Sequence, residues 1–164
     1  MESNPYKIIT YNNKYKKDLF NNEMIAAISI ASAMRHLKQG TIAQMVLIIP
    51  LISEKKTLNF LAKQNTKVRS IEELIIKNPE TIVNFNNRYL SNLITSLNSI
   101  FLLKEMNIIQ MNNSDIFYNP ANNFDFSSKQ LGTRLEKIIS CSEKLAYILD
   151  DKIENLYLQL RVVL

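Results

Sequence analysis

Apolar residues recur at helical spacing through one long stretch of the chain, residues 78–104. Asn78 can cap a helix with its side-chain oxygen, and Pro79 suits the first helical position because its missing N–H would have no partner there. Beyond them, apolar side chains follow spacings of three, four and seven on two adjacent stripes. One stripe contains Ile82, Phe85, Tyr89, Leu93, Leu97 and Ile100, and the other contains Val83, Leu90, Ile94, Leu97 and Phe101. The pattern predicts a single helix of about 26 residues, roughly 39 Å long, whose C-terminal half is the central helix of the core.

The spacing changes from helical to strand-like after Met106. Residues 108–111 and 116–118 are short β-favouring runs, and the Asn, Ser and Asp residues between them favour a tight turn. Pro120 then ends the second strand, because proline cannot donate to a ladder. A helix followed by a hairpin is typical of a winged helix, with residues 97–107 as its third helix. The alternative is a hairpin at the edge of a helical bundle.

Two stretches before this region also favour helices. Residues 22–39 combine helical spacing with small side chains, and Gly40 occupies the place of a left-handed residue after a helix. Residues 42–63 contain a β-branched run that suits a buried strand, but Pro50 would interrupt a central ladder. A helix that is bent at Pro50 therefore fits this stretch better.

Two capping boxes mark further helix starts. Ser70 and Glu73 have the required spacing, as do Thr133 and Glu136, so that each serine or threonine oxygen can accept from the third helical N–H. A short helix follows the first box. A longer helix follows the second box as far as residue 149, and a last turn or two follows the two aspartates after it.

The chain shows no internal repeat and no long linker, which indicates one domain. Residues 1–21 mix tyrosines and lysines and predict an N-terminal arm, in which residues 6–11 alternate well enough to form a short strand. Residues 22–164 form the single domain. The predicted fold class is mainly α, a compact helical domain with a winged-helix-like long helix and a small β-hairpin.

The length, the cysteine count and the charge of the chain limit its structural class and its cellular location. At 164 residues, the chain is long enough to bury a core without disulfides or metals. Cys141 is the single cysteine, no signal-peptide pattern is present, and the apolar run at residues 45–52 is too short to span a bilayer. These features predict a cytoplasmic protein that makes no contact with membranes. Much of the net charge of +5 lies in two basic clusters, residues 14–17 and 55–69, and such runs are more often solvated faces than ligand sites.

The residues that most enzymes need are sparse. His36 has no second histidine or carboxylate at helical spacing, so it does not predict a metal site. Cys141 lies between two serines in a helical pattern and is best interpreted as a packing residue. Two glycines leave no phosphate-binding loop, and the acidic pairs at residues 72–73 and 150–151 fall at helix starts, where the macrodipole explains them. The sequence predicts no enzymatic activity, no metal and no cofactor.

A winged-helix DNA-binding regulator is the alternative function. Readout of DNA needs basic or amide side chains on the third helix and cations on the wing. Residues 107–128 contain no lysine or arginine, whereas Asp115 and Asp125 lie in or beside the hairpin, and Lys104 is the one basic residue of the third-helix candidate. These features favour protein over DNA as the partner. The basic strip at residues 55–69 is the other candidate contact with DNA.

Several short motifs follow one another in a characteristic order along residues 22–164. They are a small-residue helix from Asn22, an apolar run into Pro50-Leu51-Ile52, Lys55-Lys56-Thr57 with Phe60-Leu61, Arg69-Ser70, Asn78-Pro79, Phe85-Asn86-Asn87-Arg88, the helix-to-hairpin passage at 102–118, and a C-terminal Leu160-Arg161-Val162-Val163. In this order the motifs resemble the middle component of three-component ABC-ATPase systems. These prokaryotic conflict or defence cassettes encode an SMC- or Rad50-like ABC ATPase, a middle component and an effector.

The resemblance implies a non-enzymatic coupling subunit that ties nucleotide-driven movement of the ATPase to the effector, in defence against phages or plasmids. Any contact with DNA would be made through the complex. Two positions depart from the family pattern: Glu54 replaces a histidine and Asn107 replaces a glycine. The second departure is mild, because asparagine also adopts the left-handed conformation. The first removes the function of that histidine.

The candidate partner-contact residues come from these motifs and from the apolar surplus of a chain with 46% hydrophobic residues. They are Lys55, Lys56, Thr57, Arg69, Arg88, Phe124 and Phe126. The two phenylalanines belong to a loop at residues 121–128, and we expect their rings to dock on the core. Arg88 lies on the apolar side of the long helix, so its guanidinium must find a carboxylate or a helix-end carbonyl. We therefore expect Arg88 and Arg69 to be structural or to face a partner.

Overall fold

The computed structural model describes residues 13–122, 124–126 and 132–163. The elements follow in the order α1 (Asn13–Leu37), β1 (Gln39–Thr41), α2 (Ile42–Met45), α3 (Ile48–Ser53), α4 (Lys55–Ala62), α5 (Ile71–Lys77), α6 (Phe85–Glu105), β2 (Ile109–Asn112), β3 (Asp115–Tyr118), α7 (Gly132–Ser140), α8 (Ser142–Leu149) and α9 (Ile153–Gln159). A short 3₁₀ helix, Pro79–Thr81, lies between α5 and α6. The predicted fold class, mainly α with a small β-hairpin, is confirmed.

Helix α1 is the element around which the core is built. Residues 26–34 are all buried, and none of them is more than 4% exposed. The helix contacts α3, α6, α7, α8 and two of the strands. Small side chains allow these neighbours to approach closely, and the buried hydroxyls of Ser29 and Ser32 donate to carbonyl oxygens of α1 itself. The central helix is therefore α1, and the prediction that the later long helix is central is wrong.

The predicted long helix is also shorter and is divided. Residues 79–81 form the 3₁₀ turn, and Asn84 has a left-handed backbone with φ of 52° that separates this turn from α6. Helix α6 itself has 21 residues, and one face of it packs on the core through Phe85, Tyr89, Ser96, Ser99, Ile100 and Leu103. The second apolar stripe of the sequence lies on the opposite, exposed side.

Helix α1 differs from its prediction at both ends. It begins at Asn13, so the second half of the predicted N-terminal arm is helical, whereas residues 1–12, with the predicted strand, lie outside the described residues. It ends at Leu37, and the left-handed residue after it is Lys38, with φ of 70°. Gly40 lies in β1, where a Cβ atom would come within 3.0 Å of Met45 Cε. Gly40 is therefore not the left-handed residue that was predicted, and its surroundings are closely packed.

The predicted hairpin is confirmed and is extended by a third strand. Strands β2 and β3 pair antiparallel around a two-residue turn, where Asn113 has φ of 55°. Strand β1 pairs antiparallel with β3, which gives the sheet order β1-β3-β2. Asn107 adopts the expected left-handed conformation, with φ of 56°, between α6 and the hairpin. The winged-helix interpretation itself stays a prediction.

Local breaks divide the other predicted helices. The predicted bend at Pro50 is wrong, because Pro50 is the third residue of α3 and lies in the first turn, where no N–H donor is needed. The helical stretch is interrupted at residues 46–47 and at Glu54. The predicted second long helix is interrupted at Cys141, which separates α7 from α8. Helix α5 matches its prediction, because Ser70 Oγ accepts from Glu73 N at 3.2 Å.

No helix among the described residues combines the length and the hydropathy that crossing a membrane requires.

Candidate partner-binding surfaces

Arg88 joins three segments of the chain. Its Nε donates to Pro50 O at 3.0 Å, its Nη2 donates to Thr81 O at 2.7 Å, and its Nη1 donates to Val83 O. The guanidinium carbon also lies 5.4 Å from the centre of the Phe85 ring. Burial lowers the pKa of the guanidinium, a cost that the carbonyl contacts offset. The expectation that Arg88 finds helix-end carbonyls is confirmed, and its contacts hold α3, the 3₁₀ turn and α6 together.

Thr57 is buried and belongs to the same region. Its hydroxyl lies 3.3 Å from Thr81 Oγ1 and accepts from Asn78 Nδ2 at 3.1 Å. The residue is 0% exposed, so its side chain is not available on the surface to a partner. These contacts fasten α4 to the segment that precedes α6.

The two loop phenylalanines dock on the core, as predicted. Their rings meet edge to face with centroids 4.9 Å apart, and Phe126 is 7% exposed. The guanidinium of Arg35 lies over the Phe126 ring, 4.8 Å from its centre. Phe124 is partly buried against the same core. Phe126 therefore offers little surface to a partner, and partner contact through Phe124 stays a prediction.

The remaining predicted contact residues are exposed, and each makes a different contact. Lys56 pairs with Glu80 at 2.6 Å, and this hydrogen bond raises the pKa of Lys56. The backbone N–H of Arg69 donates to Glu73 Oε2 at 2.8 Å. Lys55 lines a surface groove described below. Partner contact through Lys55, Lys56 and Arg69 stays a prediction.

Helix α6 carries a row of exposed apolar side chains, which we call the α6 apolar face: Leu90, Ile94, Leu97 and Phe101. Leu90 is 55% exposed, Ile94 73% and Phe101 53%, while Leu97 is partly buried beneath them. Residues 89–103 contain no charged side chain, so this row has no charged interruption. The spacing of four, three and four is that of a helical seam that packs on a second helix.

Two further apolar residues lie exposed near the first turn of α6. Val83 is 52% exposed and precedes the helix, and Val163 is 68% exposed. The backbone N–H of Val163 donates to Asn86 Oδ1 at 2.9 Å, which holds the C-terminal segment beside α6. The sequence contained one signal of this surface, which we interpreted as a sign of a central core helix. Two adjacent apolar stripes are wider than the roughly 100° that one core-facing helix buries.

A second candidate surface is a groove between α4 and α7, which we call the α4–α7 groove. Its first part is a cavity of about 420 Å³ lined by Ile52, Ser53, Lys55, Leu58, Asn59, Thr133, Arg134 and Lys137. An adjoining depression of about 480 Å³ shares three of these residues and adds Ala62, Lys63, Glu136 and Ser140. Lys137 Nζ donates to Asn59 Oδ1 at 2.9 Å and so connects the two helices. Sequence reasoning identified Lys55 but gave no role to the cations of α7.

Cys141 packs in the core, and His36 lies at the end of a helix. Cys141 is 0% exposed, its thiol donates to Ile138 O at 3.2 Å, and burial raises its pKa to about 12. His36 lies exposed in the last turn of α1, where partial burial and then Arg35 lower its pKa. In the described part of the chain, no group of three or more His, Cys, Asp or Glu residues could hold a metal ion.

The Cys141 thiol is expected to be unreactive in the folded protein. A pKa of about 12, against an ordinary value of 9.0, leaves roughly 1000-fold less thiolate at pH 8. Reaction with Ellman's reagent at pH 8 should therefore be at least about 100-fold slower in the folded chain than in guanidinium. Because the unfolded chain loses its thiol proton at lower pH, stability should also fall as the pH rises above about 9. Native and denatured rates within tenfold of each other would contradict the buried position.

Comparison with protein families gives one result for almost the whole described chain. A family model described as ABC-three component (ABC-3C) system Middle Component 3 matches residues 14–164. The match begins eight residues before the stretch on which the sequence motifs rest. Searches of the curated proteins and of the solved structures find no match.

Proposed function

Since this chain belongs to the middle component 3 family of ABC-three component systems, we propose that it is a non-enzymatic adaptor. It couples an SMC- or Rad50-like ABC ATPase to an effector protein in the cytoplasm of a prokaryote. The system acts in defence against phages or plasmids. Any contact with DNA is made through the assembled complex.

The observation that carries this proposal is the α6 apolar face. Three large apolar residues exposed by more than half on one helix exceed the scattered exposure that a monomeric protein shows. A row with helical spacing and no charge fits the apolar side of an amphipathic helix. We propose that the occupant is such a helix from a partner component. Val83 and Val163 extend the contact beyond the N-terminal end of α6.

The absence of a catalytic role is part of the same proposal. Cys141 is buried as a neutral thiol, and among the described residues its thiol donates to the backbone oxygen of Ile138 and not to a general base. His36 contacts Arg35, a cation that disfavours the protonated imidazole. The positions of these two side chains support the proposal, because Cys141 packs in the core and His36 lies at the surface without a catalytic partner among the described residues.

Co-expression with the neighbouring open reading frames tests the proposal. A tag on this chain is expected to retain the ATPase in stoichiometric amount, and the purified chain alone is expected to bind duplex DNA weakly and with steep salt dependence. Size-exclusion chromatography with mass determination gives the stoichiometry. A salt series of DNA-binding measurements gives the electrostatic share of any DNA contact.

The result that would overturn the adaptor is tight, sequence-specific DNA binding by the chain alone with no partner retained. That result would favour the winged-helix DNA-binding regulator. Nucleotide hydrolysis by the purified chain alone would contradict the non-enzymatic role. Retention of the effector in the absence of the ATPase would keep the adaptor and identify its first partner.

A further inference from the structure

We infer that the α4–α7 groove binds an acidic, amphipathic segment of a partner protein. This inference deepens the proposed function and rests on it for the source of the segment. The groove is separate in chemistry from the α6 apolar face, because cations surround an apolar floor. An adaptor with two different surfaces can hold two components at once.

The charge of the groove indicates an anionic ligand. Lys55, Lys63, Arg134 and Lys137 line its two connected parts, and Glu136 is the one carboxylate that lines them. No salt bridge joins any of these four cations to a carboxylate within the described ranges. Like charges brought to one groove repel one another, so a carboxylate-bearing ligand would relieve this repulsion while it gains attraction.

Two other cations near the groove already have partners within the chain. Lys144 Nζ donates to the carbonyl oxygens of Leu61 and Lys63, both at 2.7 Å, and so closes the C-terminal end of α4. Lys56 is paired with Glu80. Of the cations that lie on or next to α4, α7 and α8, those that remain for a ligand are therefore Lys55, Lys63, Arg134 and Lys137, the last already positioned by Asn59.

The floor of the groove favours a protein segment over nucleic acid. Ile52 is 3% exposed and Leu58 is 6% exposed at the base of the groove, so an apolar side chain of a ligand would pack on their edges and on the aliphatic stems of the surrounding cations. A phosphate backbone gains nothing from such a floor and needs a longer track of cations. The hairpin could not continue that track, because residues 107–128 contain no lysine or arginine. A cavity of about 420 Å³ suits a few side chains of a short segment.

Fluorescence anisotropy with the full chain tests the inference. The probe is a short labelled peptide with glutamates flanking leucines at helical spacing, and its companions replace every glutamate by glutamine or every leucine by serine. We expect the parent peptide to bind, and each companion to bind about tenfold more weakly. Binding of the parent peptide should also weaken as salt rises.

The matching protein variants separate this site from general charge. Lys55→Glu with Arg134→Glu should weaken peptide binding by about tenfold or more, since both reversals place like charge against the peptide. Lys67→Glu with Lys152→Glu changes the net charge equally at exposed positions outside the groove, and should change binding less than twofold. Circular dichroism confirms that both variants are folded.

Three outcomes would overturn the inference: equal binding by both double variants, equal binding of the parent and serine peptides, or tighter binding of duplex DNA that the groove variant abolishes. The last outcome would assign the groove to nucleic acid. Failure of the adaptor proposal is distinguishable, because the peptide measurement needs no partner component. Peptide binding without retention of an ATPase would keep the groove and remove only the proposed source of its ligand.

Discussion

Replacing Ile94 with glutamate is expected to weaken binding of the partner component by roughly 30- to 1000-fold while leaving the fold intact. Ile94 is 73% exposed at the centre of the α6 apolar face, and Leu90 and Phe101 lie exposed on the same row. A charge at the centre of an apolar contact must be buried without a counter-ion, and central interface residues typically contribute about 2 to 4 kcal/mol. Co-purification from cells and titration with the isolated partner measure the effect.

The matched control for this variant is Ile76→Glu. Ile76 has the same side chain and is 78% exposed, but it lies on α5. Both substitutions should change the free energy of unfolding by no more than about 0.5 kcal/mol, because neither residue is buried. Equal partner binding by Ile94→Glu and wild type would remove the α6 apolar face from the proposal. Equal loss in both variants would indicate a surface other than α6.

Replacing Arg88 with alanine is expected to destabilise the fold by about 2 to 4 kcal/mol. The guanidinium donates to three carbonyl oxygens, on Pro50, Thr81 and Val83, and its removal leaves these acceptors without their charged donor. A change of this size corresponds to a melting temperature lower by roughly 4 to 16 °C for a chain of this length. Thermal and urea unfolding followed by circular dichroism measure it.

Two variants separate the geometry of Arg88 from its charge. Arg88→Lys keeps the charge but cannot serve three carbonyls in one plane, so we expect it to recover less than half of the loss. Arg69→Ala removes an exposed arginine and should stay within about 0.5 kcal/mol of wild type. An unchanged melting temperature in Arg88→Ala would show that the three hydrogen bonds contribute nothing to stability.

One residue of the α4–α7 groove, Arg134, lies beside α6. Arg134 of the α4–α7 groove also lines a depression with Asn92 and Thr95, which belong to α6. Ser99 of α6 in turn donates to the backbone oxygen of Glu23 in α1 at 2.9 Å. Arg134 therefore lies between α6 and the groove, whose own lining residues belong to α3, α4 and α7 and to Lys63 after α4.

Some elements follow from a few neighbouring residues. The Ser70 oxygen accepts from the third N–H of α5, and the residues after Lys77 leave the helix at Asn78, as the sequence predicts. The hairpin likewise forms where turn-forming residues separate two short apolar runs, and Asn113 takes the left-handed backbone that a tight turn needs. Caps and turns depend on contacts across two to four residues, so the sequence contains all of their partners.

Other features needed the whole molecule. Strand β1 has only three residues, including Gly40, and forms because β3 supplies its hydrogen-bond partners from more than 70 positions away. Helix periodicity showed two apolar stripes on α6 but did not show which one α1 and α3 would cover. The predicted site residues show the same division: Thr57 is buried and Arg88 is partly buried, each hydrogen-bonded to another segment of the chain, whereas Lys55 remains at the surface.

By itself, the sequence determined the mainly helical class, the hairpin, the position of α5 and the family to which the chain is similar, because spacing, caps and motif order are properties of neighbouring residues. Only the tertiary structure decided that α1 is central, that Leu90, Ile94 and Phe101 face outward, and that the cations of α4 and α7 line one groove. Lys137 and Asn59 make their hydrogen bond across 78 positions of sequence. Such contacts form when the core excludes water from one face of each helix, and a pattern along the chain does not state which face that is.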